Sequence, residues 1–416
     1  MKLNTILIYA AIGMTGLTGC KKYAEAPLMK DPAYIRVFNN LTTTVDFLHS
    51  QQVAPFLTFL ADPAVDAAGV PSDAAVTGDF LGARQFYSLS APINEANSSL
   101  ATVNPGGNSG PVVTNMNYEY PGNAHVLAAP VINGLDLSAW AQFPSGKHRI
   151  LFVVRPSNNI AFSNLSATVR SNILIDTTID FQKGEVYTME VVSRDIDNAK
   201  YGLYVRKEQF IHQAFETNKL YAAMVNLSGK LPASAAVSAA FFFPDKLRIS
   251  YSYNILNDAV GMNQYNFYYD QLPGYDDTYY TTLNSKMDTV VSFLPLPLLP
   301  EENFFYQGVL RTYSTLPNFP SEFQGTMPYV NFNIVNADRP TGTPDSGTPD
   351  GLILACSADP TIFNNTPRQS YTPNLNLIVN TGNAFHVYPT LNILELSYDH
   401  VYLMQIQRGI DEIPKN

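Results

Sequence analysis

The chain is 416 residues long, carries a net charge of −10, and devotes only 14% of its residues to charged side chains, where about a quarter is usual. That acidic balance lacks the basic footprint that nucleic acids and anionic lipid headgroups need, so neither is an expected partner. Aromatic residues reach 12%, and with Asn, Thr, Ser and Pro they predict an all-β extracytoplasmic protein rather than a helical cytosolic enzyme, because rings and β-branched side chains suit pleated sheets while Asn and Pro mark turns.

At the N-terminus, Lys2 precedes an apolar stretch over 5–17. That run has the length of a secretory h-region and falls short of the roughly 20 residues of a membrane span. It leads into Leu17-Thr18-Gly19-Cys20, which resembles the bacterial lipobox. The resemblance implies a signal peptide over 1–19, cleavage before Cys20, and acylation of the Cys20 thiol. Residues 20–32, with Pro27 and Pro32, then read as a lipid-anchored tether. Each buried methylene contributes about 0.8 kcal/mol, so the two or three chains implied by the resemblance would anchor the protein to the membrane permanently. Lys21 stands where an aspartate can signal inner-membrane retention, which favours the outer membrane and leaves its periplasmic or surface side open. With Lys2 removed, 24 basic residues face 35 acidic ones. With Cys20 acylated, Cys356 has no partner in the chain and the fold is expected to lack disulfides. Cys356 itself ends the apolar run 352–356 and reads as a buried strand thiol. The mature length suggests two domains, or three at most.

The first strand is expected at 34–38, ending in Asn39-Asn40. Residues 61–82 and 91–124, rich in Ala, Gly, Pro, Asn and Ser, read as long loops. Clear strands follow. In 150–155, Ile150, Phe152 and Val154 alternate with Leu151, Val153 and Arg155. In 173–181 the odd positions are mainly apolar while Asp176, Thr178 and Asp180 face away, a period of two that puts one face on a core. Gly184 marks a corner, and 186–192 resumes a strand with Tyr187, Met189 and Val191 on one side. Residues 207–220, with polar positions Glu208, His212, Glu216 and Lys219, read as a helix or interdomain linker. Further strands are expected at 221–227, 239–243, 247–253, 330–334, 352–356, 375–379 and 401–406, and 337–351 reads as a loop.

The two halves echo each other. Val186-Tyr187-Thr188-Met189-Glu190-Val191 aligns in phase with Val401-Tyr402-Leu403-Met404-Gln405-Ile406, with Phe181 on Leu396 and Ile179 on Leu394. Val37-Phe38-Asn39 likewise resembles Met224-Val225-Asn226. A repeat of about 190 residues predicts two tandem β-sandwich domains, 33–212 and 219–412. Gly184 lies three residues before Tyr187, which resembles the tyrosine corner of Ig-like sandwiches. The segments 33–47 and 146–206, including Gly146-Lys147-His148-Arg149-Ile150-Leu151-Phe152-Val153-Val154-Arg155-Pro156, resemble an uncharacterised Ig-like bacterial domain of unknown function found in secreted proteins and lipoproteins. That resemblance implies the fold and carries no site residues.

The six histidines, His49, His125, His148, His212, His386 and His400, form no metal-ligand spacing, so no metal or cofactor is expected. Acidic pairs Asp276-Asp277 and Glu301-Glu302 read as solvated turns rather than glycosidase carboxylates, because neighbouring strand residues face opposite ways. The one unusual cluster is aromatic. Tyr265, Tyr268, Tyr269, Tyr275, Tyr279 and Tyr280 are interleaved with Asp276 and Asp277. Such rings beside carboxylates suit sugar stacking or a protein-binding rim, and equally a hairpin packed on its own sheet. The sequence therefore predicts a non-catalytic envelope lipoprotein with a binding, adhesion or assembly role. Its partner would be a glycan or another envelope protein. A carbohydrate-binding lipoprotein for glycan uptake is the alternative, and an envelope hydrolase the second alternative.

Overall fold

A computed structural model describes residues 29–43, 54–84, 100–103, 113–116, 119–121, 131–230, 232–233, 246–256, 269–271, 274–284, 292–299, 305–306, 309–310, 329–337, 351–354, 376–381, 384–398 and 400–407. Contacts separate residues 1–30 from one compact unit, 31–416. That unit is all-β, as the composition predicts, with several sheets and no closed barrel among the described residues.

In chain order the first half holds β1 (Ala33–Asn40), β2 (Phe56–Val65), β3 (Pro71–Leu81), β4 (Leu100–Val103), β5 (Val113–Met116), β6 (Val131–Ile132), β7 (Leu135–Asp136), β8 (Ala141–Phe143), β9 (Gly146–Arg155), β10 (Ile173–Phe181), β11 (Val186–Asp195) and β12 (Lys200–Lys207). The second half holds β13 (Lys219–Asn226), β14 (Lys246–Leu256), β15 (Tyr269–Gln271), β16 (Thr278–Asn284), β17 (Phe293–Pro297), β18 (Phe305–Tyr306), β19 (Val309–Leu310), β20 (Tyr329–Asn336), β21 (Gly351–Leu354), β22 (Asn376–Thr381), β23 (Ala384–Ser397) and β24 (His400–Gln407).

Each half builds two facing sheets. In the first, β12-β11-β1-β8 packs on β10-β9-β2-β3; in the second, β17-β13-β23-β22 with β24 packs on β15-β14-β20-β21 with β16. Alternation explains the first core. Ile35 and Val37 of β1 and Tyr187, Met189 and Val191 of β11 meet Phe59, Phe152 and Phe181 from the opposite sheet. In β10, Asp176, Thr178 and Asp180 are exposed while Phe181 is buried, as its period of two predicts. The second core joins Ala222 and Met224 to Ile249, Tyr251 and Phe332.

The halves repeat one topology. β1 runs parallel to β11, which is antiparallel to β12; β13 runs parallel to β23, which is antiparallel to β24. This corrects the sequence alignment by one strand, because the counterpart of β11 is β23 and not β24. Phe38 lies opposite Glu190 and Val225 opposite Glu395, so Met189-Glu190-Val191 matches Leu394-Glu395-Leu396. Asn39 and Asn226 also correspond, since each side chain accepts a hydrogen bond from the backbone N–H two residues on, at Leu41 (3.2 Å) and Ser228 (3.0 Å).

Two further expectations are corrected. Residues 61–82 are not a loop but the end of β2 and all of β3, an edge strand on which Ser72, Asp73, Ala74, Ala75 and Thr77 are half-exposed or exposed. Part of 91–124 forms the β4–β5 ribbon. Of the two readings of residues 207–220, the helix is not formed: they connect β12 to β13 through a 3-10 turn, Phe210–His212, that buries Phe210 and Ile211. The strand expected at 239–243, Cys20 and Cys356 lie outside the described residues.

The corner between β10 and β11 crosses from one sheet to the other. Gly184 adopts φ +74°, and the Gln182 N–H donates to the Tyr187 hydroxyl oxygen at 2.9 Å. A second tyrosine uses the same five-residue reach, because the Glu216 N–H donates to the Tyr221 hydroxyl oxygen at 3.0 Å.

Candidate functional site

The aromatic segment divides by burial. Tyr275 is half-buried and packs on the second core, with its ring 6.2 Å from that of Tyr251. Tyr280 also points inward. Its hydroxyl donates to the Ser292 carbonyl and lies 3.2 Å from that of Ala222, and burial pushes its ionisation well above the ordinary tyrosine range. Tyr279, one residue earlier on β16, faces out and is 61% exposed, with its hydroxyl 3.0 Å from that of Thr282. Asp276 and Asp277 are exposed, and Asp277 accepts from the Ser250 hydroxyl. Tyr269 lies in β15, whereas Tyr265 and Tyr268 lie outside the described residues. Among the described side chains, the segment puts the flat ring of Tyr279 and two carboxylates on the surface and packs Tyr275 and Tyr280 against the core.

The densest group of ionisable side chains is elsewhere, and it is buried. The sheets β12-β11-β1-β8 and β17-β13-β23-β22 turn their second faces to each other. Tyr34, Val186, Val192 and Phe210 meet Tyr221, Val225, Leu391 and Ile406 in a third apolar core shared by the two halves. The same face carries Arg36 on β1, Glu190 on β11, Arg206 on β12 and Glu395 on β23, all 0% exposed. Arg206 Nη1 is 3.3 Å from Glu190 Oε1, its Nε is 2.9 Å from Glu208 Oε1, and its Nη2 is paired with Glu395. Arg84, just beyond β3, pairs with the second oxygen of Glu395. Glu208 accepts from the Thr188 hydroxyl at 2.5 Å, and Glu190 accepts from the Asn40 amide at 2.9 Å. Beside this group, Arg36 donates to Glu119 at 2.7 Å. The guanidinium of Arg84 lies 3.8 Å from the Phe38 ring centre and 4.9 Å from that of Tyr402; Arg36 lies 5.4 Å from that of Trp140.

Burial and pairing act on these groups in opposite directions. Desolvation raises the Glu190 carboxyl well above the usual carboxylate range, and the neighbouring Glu395 carboxylate raises it further. Desolvation likewise raises Glu208 and Glu119. Glu395 is also desolvated, but Arg84 and Arg206 outweigh that and hold it down at about 2. An isolated buried charge is prohibitively costly, so the geometry is that of a closed ion network.

Two smaller clusters stiffen the first sandwich. Arg155 pairs with Asp79 and also donates to the carbonyls of Asn158 (2.9 Å) and Ile160 (2.5 Å), which fixes the turn after β9. His148 Nδ1 lies 2.6 Å from Asp62 Oδ2, and its ring packs against Phe143. No group of three or more His, Cys, Asp or Glu residues among the described residues could hold a metal ion. No helix among them is long and apolar enough to cross a membrane.

Sequence reasoning missed the buried network. The sequence reading assigned no burial to the outer faces of β1 and β11; the available signal was that those faces are apolar too, at Tyr34, Phe38, Val186 and Val192. No family model and no curated protein matches the chain.

Proposed function

We propose that the protein is a non-catalytic cell-envelope lipoprotein, acylated on Cys20 and held at the outer membrane, with two Ig-like sandwiches serving binding, adhesion or assembly. The observation that carries this reading is the filled junction between the halves. Two-domain enzymes commonly keep their reacting groups in the crevice between domains. Here that position is packed with apolar side chains, and the carboxyls of Glu190, Glu208 and Glu395 are engaged by arginines. The outer faces are then the surfaces offered to a partner. The Tyr187 corner supports the Ig-like assignment, and the Leu17–Cys20 tetrapeptide supports the anchor. The test is Cys20→Ala with cell fractionation and radiolabelled palmitate. Loss of label and release from the envelope fraction are expected; unchanged sedimentation with unchanged label would overturn the proposal.

Exposed Tyr279 beside Asp276 and Asp277 favours glycan capture as a second reading. A flat exposed ring stacks on a sugar face while carboxylates accept from its hydroxyls. Affinity gels containing envelope and plant polysaccharides would separate the readings. Retention that is lost in Tyr279→Ala supports glycan binding, and no retention on any polysaccharide removes it.

A further inference from the structure

The network between the halves does not balance if all its acids are ionised. Glu190, Glu208 and Glu395 meet only two guanidiniums, those of Arg84 and Arg206. Arg36 and Glu119 form an ion pair beside them. Among the described residues, this leaves one carboxyl in excess at a place closed to water, since Glu190, Arg206 and Glu395 are each 0% exposed. Burying an unpaired charge costs far more than taking up a proton.

The geometry says which carboxyl keeps the proton. Glu395 faces two guanidiniums, one at each oxygen. Glu208 takes Arg206 Nε at 2.9 Å and the Thr188 hydroxyl at 2.5 Å. Glu190 has the weakest ionic contact, Arg206 Nη1 at 3.3 Å, with the neutral Asn40 amide at 2.9 Å and the Glu395 carboxyl beside it. Glu190 comes from β11 of the first half and Glu395 from its counterpart β23 of the second, so a bond between them crosses the junction at equivalent positions of the repeat. We propose that one proton, carried by Glu190 and donated in a hydrogen bond to Glu395, is an integral part of the fold and ties its two halves together. Folding takes that proton from water, and Glu395 stays ionised as the acceptor.

The groups facing Glu190 set the pH dependence. They are Arg206 and Tyr204 from β12, Asn40 from β1, Glu208 after β12, Glu395 from β23 and Arg84 beyond β3. Because the native Glu190 binds its proton more tightly than the unfolded one, its contribution is full below the ordinary carboxylate range. It is lost as pH rises through the native value.

The experiment compares the full chain with Glu190→Gln and Glu395→Gln in detergent. In Glu190→Gln the amide replaces the carboxylic O–H as donor. The difference in Tm between wild type and Glu190→Gln should fall steadily as pH rises from 5, whereas Glu395→Gln, which strips charge from Arg84 and Arg206, should be destabilised at every pH. The infrared spectrum gives an independent readout: native wild type at pH 7 should show a protonated carboxyl stretch, absent in Glu190→Gln and on unfolding. Should Glu190→Gln fail to fold, that band in the wild type and its disappearance on unfolding still decide the matter. A pH-independent difference, or no protonated carboxyl in the native wild type at pH 7, would overturn the inference.

Discussion

Replacing Arg206 by methionine probes the junction most severely. Methionine keeps much of the aliphatic stem, so the change removes charge and donors more than volume. Arg206 is 0% exposed and serves three carboxyls. Glu395 retains Arg84 in the variant, whereas Glu208 loses its guanidinium partner. Removing one partner of a buried pair costs about 3–5 kcal/mol, chiefly through the charge left behind. With an unfolding entropy of about 2.1 cal/mol/K per residue over a compact unit of this size, Tm should fall by about 4–6 °C. The deficit should also depend on pH. In the variant the orphaned carboxyls titrate well above their unfolded values, so the loss is smallest in acid, where they are protonated, and deepens as pH rises. Urea unfolding followed by tyrosine fluorescence from pH 4 to 8 measures both. A loss under about 1 kcal/mol, or one that does not change with pH, would refute the reasoning.

Other substitutions follow from local geometry. A Cβ at Gly229 would stand 2.2 Å from the Arg194 carbonyl oxygen, at the point where Lys230 N–H bonds that same oxygen; Gly229→Ala should abolish soluble expression or cost several kcal/mol, about the upper range for one substitution, while Gly69→Ala, with open space around it and only its φ of +78° to resist, should cost about 1–2 kcal/mol by denaturation. Tyr187→Phe and Tyr221→Phe each remove the acceptor for a backbone N–H, and each should cost about 1–2 kcal/mol in the same assay. Asp176 is held below the usual carboxylate range by its hydrogen bonds from Arg149. The pair is 45% and 46% exposed, so solvent screening limits Asp176→Asn to under about 1 kcal/mol. That difference is present above the ordinary aspartate range and disappears as pH falls through the lowered native value, which a Tm series in acid would record.

What the sequence disclosed depended on how many faces of a strand were buried. β10 has one core face and one wet face, so its alternation was readable residue by residue. β3 was not, because an edge strand with Ala74, Ala75 and Gly78 lacks the apolar period that marks a strand, and its backbone pairing with β2 supplies the order instead. β1 and β11 were recognised as strands, but both of their faces are buried, so Arg36 pairs with Glu119 and Glu190 with Arg206 instead of projecting into water. Apolar residues on both faces, Tyr34 and Phe38 in β1 and Val186 and Val192 in β11, were the local sign of a second buried face; the sheet that covers it arrives only some 200 residues later in the chain. The repeat was visible in outline but shifted by a strand, because apolar alternation alone matches any two strands in phase. The glutamates at 190 and 395, each in the middle of an apolar strand, were the residues that fixed its register. Of the surface aromatics, burial alone separated Tyr279 from Tyr275 and Tyr280, and adjacency on a strand decided which way each ring turned.

The two halves share a sealed apolar and ionic layer and should therefore unfold as one body. Differential scanning calorimetry of the full chain tests it directly. A single endotherm, whose calorimetric and van't Hoff enthalpies agree, is the predicted result. Two resolved transitions, with Arg206→Met displacing only one of them, would contradict it.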